Sequence, residues 1–358
     1  WSDPERAERM ARIYNDRYNN LRLWEPDGSH LTFPGMNPAI ELRPHQKNAV
    51  WRVVQGGNTL LAHVVGAGKT FEMIASAMEL KRLGLIRKPI FVVPKHLTKQ
   101  WAADFLRLYP GANVLAPSER DFEKKNRRKL LSRIATGDWD AVIVSDSQFS
   151  RLPMSRERVE EFFGEAIAQL EAAMLEVQGS RDRASKRIVK QLEKAKLRLL
   201  TQMERMLNAL EQEDLIPFDA LGVDALFVDE AHRYKNLMFR TKMDRVSGLG
   251  NPEGAARSFD LLMKAHYITR LHGGRRGVVF ATATPVSNSM AEMYTMTRYL
   301  RPDLLAERGA SHFDAWANLF GEIIQVLEMN PEGTGFRVAS KFAKFINLFR
   351  KEKINPMV

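Results

Sequence analysis

The stretch Asn58-Thr59-Leu60-Leu61-Ala62-His63-Val64-Val65-Gly66-Ala67-Gly68-Lys69-Thr70 decides how the rest of the chain is read. It is a short apolar run, then two closely spaced glycines, then Lys-Thr, then helical spacing over 70–83. An apolar run bounded by glycines predicts a strand buried on both faces of a parallel sheet. Gly66, Ala67 and Gly68 form a loop whose glycines let the backbone curl and point its N–H groups inward. The helix beginning near Thr70 adds the positive end of its dipole, so the loop is built to cradle phosphate. Lys69 is placed to reach the β- and γ-phosphates, and the Thr70 hydroxyl to ligate Mg²⁺. His63, standing where this P-loop pattern usually begins with glycine, is its one departure. The loop alone leaves open which nucleoside is held and whether it is hydrolysed.

Further apolar runs stand on either side: PIFVVP (89–94), DAVIVS (140–145), DALFVD (224–229) and GVVFATAT (277–284). Segments 97–108 and 119–134 between them have helical spacing, as do 290–300 and 311–329 further on. The alternation predicts an α/β fold with a central, doubly wound parallel sheet. Residues 151–216 interrupt it. Val159, Phe163, Ile167, Leu170, Met174 and Val177 recur at helical spacing, and so do Ile188, Leu192, Ala195, Leu199, Met203, Met206 and Leu210. With Gly179-Ser180 between them, they predict an inserted hairpin of two long helices. Its twelve basic residues balance its twelve acidic ones, which argues against a primary DNA grip. Its two apolar stripes are long enough to close on each other, so the hairpin is expected to be separable from the core.

The chain has 358 residues, with 54 Lys plus Arg against 43 Asp plus Glu, a formal charge of +11. The surplus lies wholly outside the hairpin and points to an acidic partner such as nucleic acid. The absence of cysteine excludes disulfides, thiolate metal sites and cysteine nucleophiles, and fits a reducing cytoplasm. No apolar run reaches membrane-spanning length, and the polar start WSDPERAERM carries neither a signal peptide nor an initiator Met. A piece of a longer chain is therefore expected.

DALFVD ends in Asp229-Glu230-Ala231-His232. Asp229, at the carboxyl end of its strand, can hold Mg²⁺ through water, and Glu230 can orient or deprotonate an attacking water. His232 has no second His at ligand spacing for zinc and is expected to link this site to other motifs by a hydrogen bond. Thr241-Lys242-Met243-Asp244 imitates a guanine-reading motif but follows no apolar run, so it is set aside. The basic run Glu123–Arg133 reads as either a DNA-facing patch or a solvated helix face.

Leu42-Arg43-Pro44-His45-Gln46, PIFVVPKHLTKQW, DEAHRYKN and ATATPVSN follow in an order and spacing that resemble the first RecA-like lobe of DEAH-type superfamily 2 helicases. The wording is similar to Swi/Snf-type translocases, where LADEMGLGKT, DEAHRIKN and LTGTPLQN stand at these positions. It is closer still to the helicase region of large methyltransferase–helicase fusion proteins of plasmids, integrative elements and phages. The resemblance runs over residues 28 to 348 and implies ATP and Mg²⁺ as cofactors and DNA as partner. It implies that Arg43 and Gln46 read adenine, and that Thr282 and Thr284 couple hydrolysis to lobe movement. It implies that Lys95, Thr98, Ser145, Asp146 and Ser147 touch a nucleic-acid backbone. Residues 1–40 are expected to be an N-terminal helix and loop, 41–300 the ATP-binding lobe, and 301–358 a helical segment leading to a second RecA-like lobe. That lobe would supply arginine fingers, so this lobe alone should turn over very slowly. A DNA methyltransferase domain is a further expected partner in the same polypeptide. The competing readings are a nucleotide-gated interaction module and a translocating subunit of a restriction-type system.

Overall fold

The computed structural model describes residues 6, 8–10, 24–178, 183–211, 215–239, 241, 246–247, 254–287, 289, 291–329 and 336–345. The buried apolar runs pair side by side. Six strands, β1 (Thr59–Leu61), β2 (Pro89–Val93), β3 (Val114–Leu115), β4 (Ala141–Ser145), β5 (Ala225–Val228) and β7 (Val278–Ala281), form one sheet in the order β1-β7-β5-β2-β4-β3. Every pairing in it is parallel. The two-residue edge strand β3 had no counterpart in the sequence reading. Helices separate the strands: α1 (Pro44–Gly56), α2 (Lys69–Arg82), α3 (Thr98–Leu108), α4 (Lys124–Thr136), the single turn α5 (Asp146–Phe149) and, beyond β5, α8 (Ala256–Leu271).

Successive side chains of a strand point to opposite faces, and both faces here are dry. Ile90, Val92, Val142, Val144, Leu226, Val228, Val278 and Phe280 join the core that holds Leu130 and Ile134 of α4 and Leu261, Leu262 and Ile268 of α8. Phe91, Val93, Ala141, Ile143, Ala225, Phe227, Val279 and Ala281 join the core that holds Val50 and Val53 of α1, Ile74 of α2 and Phe105 of α3. This three-layer α/β arrangement is the fold expected of a RecA-like lobe.

The insertion is a helical hairpin, α6 (Arg156–Gln178) and α7 (Arg183–Glu211). Farther out, its arms hold each other: Lys196 of α7 pairs with Glu171 of α6 at 2.5 Å. Its root corrects the expectation of a separable module. Val159 and Phe163 are fully buried in the core under the sheet. The Phe163 and Phe259 rings lie 5.1 Å apart, and Arg270 of α8 reaches Glu165 of α6 at 2.7 Å. The apolar stripe of α6 is shared between α7 and the lobe, so cutting at residue 156 would strip large side chains from the core.

Beyond the sheet, α9 (Ala291–Leu300), α10 (Pro302–Glu307) and α11 (Phe313–Phe320) pack around a small cluster of Phe239, Tyr294, Phe313 and Trp316. The helical pattern expected to run to 329 stops at Phe320, where Gly321 is extended. Gly321–Met329 and Phe336–Phe345 are strands β8 and β9 of an antiparallel pair, with β6 (Val246–Ser247) added parallel to β9. The run EIIQVLEM is rich in β-branched residues, which favours strand over helix. Among its described residues, the C-terminal segment is therefore helical only in its first part. Tyr14, Tyr18, Leu21 and Leu23 of the N-terminal extension, and Lys242, Met243 and Asp244 of the guanine-like motif, lie outside the described residues.

Candidate active site

All six strands run the same way, so their carboxyl ends form one edge. The glycine loop leaves β1, Asp229 leaves β5, and Thr282 leaves β7, which lies between them. The Thr282 amide donates to the Leu61 carbonyl at 3.1 Å, and the Asp229 amide to that of Val92 at 2.9 Å. The ladder thus brings the glycine loop, the acidic turn and the Ala-Thr-Ala-Thr turn together without any side chain.

Gly66 and Gly68 both have positive φ, at 83° and 90°. Gly68 is the left-handed N-cap of α2, and no side chain caps that helix. The first-turn amides of α2 are thereby presented to an anion. Carbonyls of the loop are tied away from the mouth. His45 Nε2 lies 3.0 Å from the Ala67 oxygen, and the Gln46 amide donates to the Ala67 and Gly68 oxygens, each at 3.3 Å. Gln46 is itself fixed, since its Oε1 accepts from the Arg43 amide at 2.9 Å. Gln46 is buried, so reading an adenine edge would require it to exchange one of these bonds, whereas the Arg43 side chain is exposed. Lys69 Nζ donates to the His63 and Val64 carbonyls at 2.9 and 3.1 Å, and so rests on its own loop.

His63 has a partner of its own. Its Nδ1 lies 2.8 and 3.0 Å from the two oxygens of Glu72, a fully buried carboxylate on α2. That hydrogen bond holds the imidazolium above its ordinary pKa, against burial and the charge of Lys69. The residue that departs from the glycine pattern therefore clamps the start of the loop to the helix at its end.

The acidic turn is wired to its surroundings by side chains. Asp229 Oδ2 accepts from the indole N–H of Trp101 on α3 at 3.2 Å, and Oδ1 from the Glu230 amide at 2.9 Å. Burial, then the charge of Glu230, push the Asp229 carboxyl above its usual pKa, while Lys69 acts in the opposite direction. Glu230 has left-handed backbone angles (φ 51°, ψ 46°), a strained conformation costing about 1–3 kcal/mol for a residue with a side chain. His232 Nδ1 lies 3.0 Å from Glu230 Oε2 and 3.1 Å from Thr282 Oγ1. The Thr284 amide also donates to Thr282 Oγ1, at 3.1 Å. The link expected of His232 is therefore present, with Thr282 as its partner.

Among the described residues, no cluster of three His, Asp or Glu is arranged to hold a metal by itself. Thr70 and Asp229 offer a hydroxyl and a carboxylate, with Lys69 acting on the same carboxyl. Such a site suits Mg²⁺, which takes few protein ligands and shares phosphate oxygens.

The candidates for nucleic-acid contact divide. Lys95 is exposed and paired with Glu119, and the Thr98 hydroxyl donates to the Lys95 carbonyl at 3.1 Å. Ser147 is exposed, and Asp146 pairs with Arg233 at 2.8 Å. Ser145 needs correction: it is buried, and its hydroxyl accepts the Gln148 amide as the N-cap of α5 at 3.2 Å. A side chain used in this way has no surface for a phosphate. The sequence reading also missed Trp101, Glu72 and His45 as supports of the site. A tryptophan three residues into a helix after PIFVVPKHL was the available signal for the first. Glu72 and His45 had none: Glu72 reads as an ordinary first-turn residue of α2, and only the fold brings α1 to the loop.

Three comparisons show what this chain is similar to. The family model described as "Probable helicase domain" matches residues 51–347. "Defense against restriction protein B" of Escherichia phage P1 is 24% identical over 359 residues, covering 89% of this chain. The chain spans only 16% of that relative's length. Among solved structures, the Sulfolobus solfataricus SWI2/SNF2 ATPase core in complex with dsDNA aligns over 84% of this chain and 41% of its own. It does so at 15% identity and a TM-score of 0.41. No described helix is long and apolar enough to cross a membrane.

Proposed function

Because this chain belongs to the probable helicase domain family, we propose that it is the ATP-binding lobe of a DNA-dependent ATPase of the DEAH type, which spends hydrolysis on movement along DNA. One observation carries the reading: Lys69 and the uncapped start of α2 share a sheet edge with a half-buried Asp229–Glu230 pair. The loop binds phosphate through its amides and Lys69. Mg²⁺ bound with ATP supplies charge neutralisation at the phosphates, and Thr70 and Asp229 are the residues that would hold it. Glu230 holds and deprotonates the attacking water, and its strained backbone fixes its aim. His232 carries the state of Glu230 to Thr282, and Thr284 follows through its amide. Arg43 and Gln46 serve the adenine side. Lys95, Thr98 and Ser147 contact a nucleic-acid backbone, which makes binding sequence-tolerant and salt-sensitive.

The reading includes a second RecA-like lobe and a DNA methyltransferase domain in the same polypeptide, as in prokaryotic plasmid- and phage-borne fusion proteins. The length of the phage relative is compatible with further domains. The test is ATP hydrolysis by the intact protein with and without duplex DNA. Stimulation by DNA, falling as salt rises, is expected, and equal rates in both conditions would contradict the reading.

A further inference from the structure

The turn after Asp229 is fastened to the β7 side of the sheet twice. The first fastening is the His232–Thr282 contact. The second begins at Lys235, just past the turn Ala231–Tyr234. Its ammonium lies 2.9 Å from Glu292 Oε1 and donates to the Ser287 hydroxyl. Glu292 Oε2 in turn accepts the Ser287 amide at 2.7 Å. Both charged side chains are largely withdrawn from water, at 13% and 6% exposure. Three groups from two separate strand ends thus close one small ring, with Glu292 in the first turn of α9.

This pair joins distant stretches of chain, as Arg233–Asp146 and Arg270–Glu165 also do, and unlike them it is largely withdrawn from water. Lys264–Asp260, Arg82–Glu79 and Arg301–Asp303 join neighbours on one short stretch of chain. Lys235 and Glu292 are far apart in sequence and meet only because β5 and β7 are adjacent. Hydrogen bonds to main-chain carbonyls hold the same segment to the same helix: Tyr299 OH donates to the Tyr234 carbonyl at 3.0 Å, and the Arg298 guanidinium to that of Met238 at 2.6 Å. The turn that carries Glu230 therefore rests on α9, and α9 leads into α10 and α11. A partly buried pair of this kind is orienting: removing either charge leaves the other buried without its partner.

We propose that Lys235 and Glu292 are positioning residues, a charged latch that transmits the state of the Glu230 turn to α9 and so couples ATP turnover to movement on DNA. The proposal rests on the ATPase reading above. In that reading the hydrolysis step is sensed at Glu230 and His232. The latch gives the sensing turn a grip on a helix in addition to its grip on the Thr282 loop.

The experiment uses the intact protein and four forms: wild type, Lys235→Met, Glu292→Gln, and the charge-exchanged double variant Lys235→Glu/Glu292→Lys. For each, ATP·Mg²⁺ affinity, kcat and KM are measured with and without duplex DNA, together with the melting temperature. The single variants are expected to bind ATP·Mg²⁺ within about twofold of wild type and to lower the ratio of DNA-stimulated to basal kcat about tenfold. The double variant is expected to recover at least half of that ratio. Wild-type ratios in the single variants would overturn the proposal alone. So would a parallel loss of folding and nucleotide binding in all three variants, or a double variant no better than the singles. A wild type without DNA-stimulated turnover would overturn the ATPase reading and the latch with it.

Discussion

The glycine loop and the acidic turn face each other across β7, and they are held in opposite ways. The loop takes its shape from main chain: positive φ at Gly66 and Gly68, carbonyls tied outward by His45 and Gln46, and His63 clamped to Glu72. Lys69, where the loop passes into α2, rests on the His63 and Val64 carbonyls. The acidic turn is held by side chains from three other places: Trp101 on α3, Thr282 after β7 and Glu292 on α9. The loop is a preformed receptacle, braced from behind. The turn is a junction, braced toward elements that lead elsewhere. The difference teaches that a change at the loop should register as affinity, and a change at the turn as rate.

The largest expected effect lies at the junction. Glu230→Gln keeps the shape and removes the base, so kcat of the intact protein should fall about 10²- to 10⁴-fold while ATP·Mg²⁺ affinity stays within a few-fold. A steady-state ATPase assay beside an equilibrium titration decides it. Weakened binding with normal turnover would reverse the assignment of the two regions.

Next comes the receptacle. Gly68→Ala puts a side chain at φ 90°, where its Cβ collides with the Gln46 amide. The left-handed conformation alone costs about 1–2 kcal/mol. The variant should melt several degrees lower and lose the stabilisation that ATP·Mg²⁺ gives the wild type. An unchanged nucleotide-induced shift would show that loop geometry does not matter to binding.

Trp101→Phe is a milder cut at the junction. It removes the indole N–H that orients Asp229 but keeps most of the buried ring, and kcat should fall about tenfold at unchanged ATP affinity. A loss confined to affinity would move Trp101 to the receptacle.

The smallest effect concerns pH. His63 faces Glu72 and Lys69 on α2 and His45 on α1, and its folded pKa is raised by Glu72. A raised histidine pKa stabilises the fold fully below the unfolded value, about 6.5, and that share is lost as pH rises through the folded value. The ring is about one-third exposed, so solvent screens the pair. A decline of only about 1–2 °C in melting temperature is expected as pH rises above 6.5. The decline should vanish in His63→Gln; a decline of the same size in that variant would assign it to another group.

How much of this the amino-acid sequence disclosed follows from where each signal is stored. The glycine loop, the four apolar runs and Asp229 at a strand end are local patterns, and the fold has them where the periodicity put them. The His232–Thr282 contact was foreseen only in part, since a lone histidine names no partner. Glu72 and His45 were not legible, because no spacing pattern pairs a helix carboxylate with His63 or sets α1 against the loop, and the Lys235–Glu292 pair meets only once β5 and β7 are adjacent. The resemblance set Ser145 against a nucleic-acid backbone, whereas the fold uses its hydroxyl in the capping turn formed with Gln148. The hairpin root was misread for a related reason. A helical stripe announces that a face is buried without saying against what, and Phe163 packs on Phe259 of the lobe. The strand at Gly321–Met329 shows the limit of spacing arguments, where β-branched content outweighed a helical count.

The central claim is that the glycine loop holds the phosphates of ATP through Lys69. Calorimetric titration of ATP·Mg²⁺ into the intact protein and its Lys69→Ala variant tests it most directly. The account predicts saturable one-site binding to the wild type and affinity about 10- to 100-fold weaker in the variant, the worth of one charge-assisted contact. Equal affinity in the two proteins, or no binding to either, would contradict it.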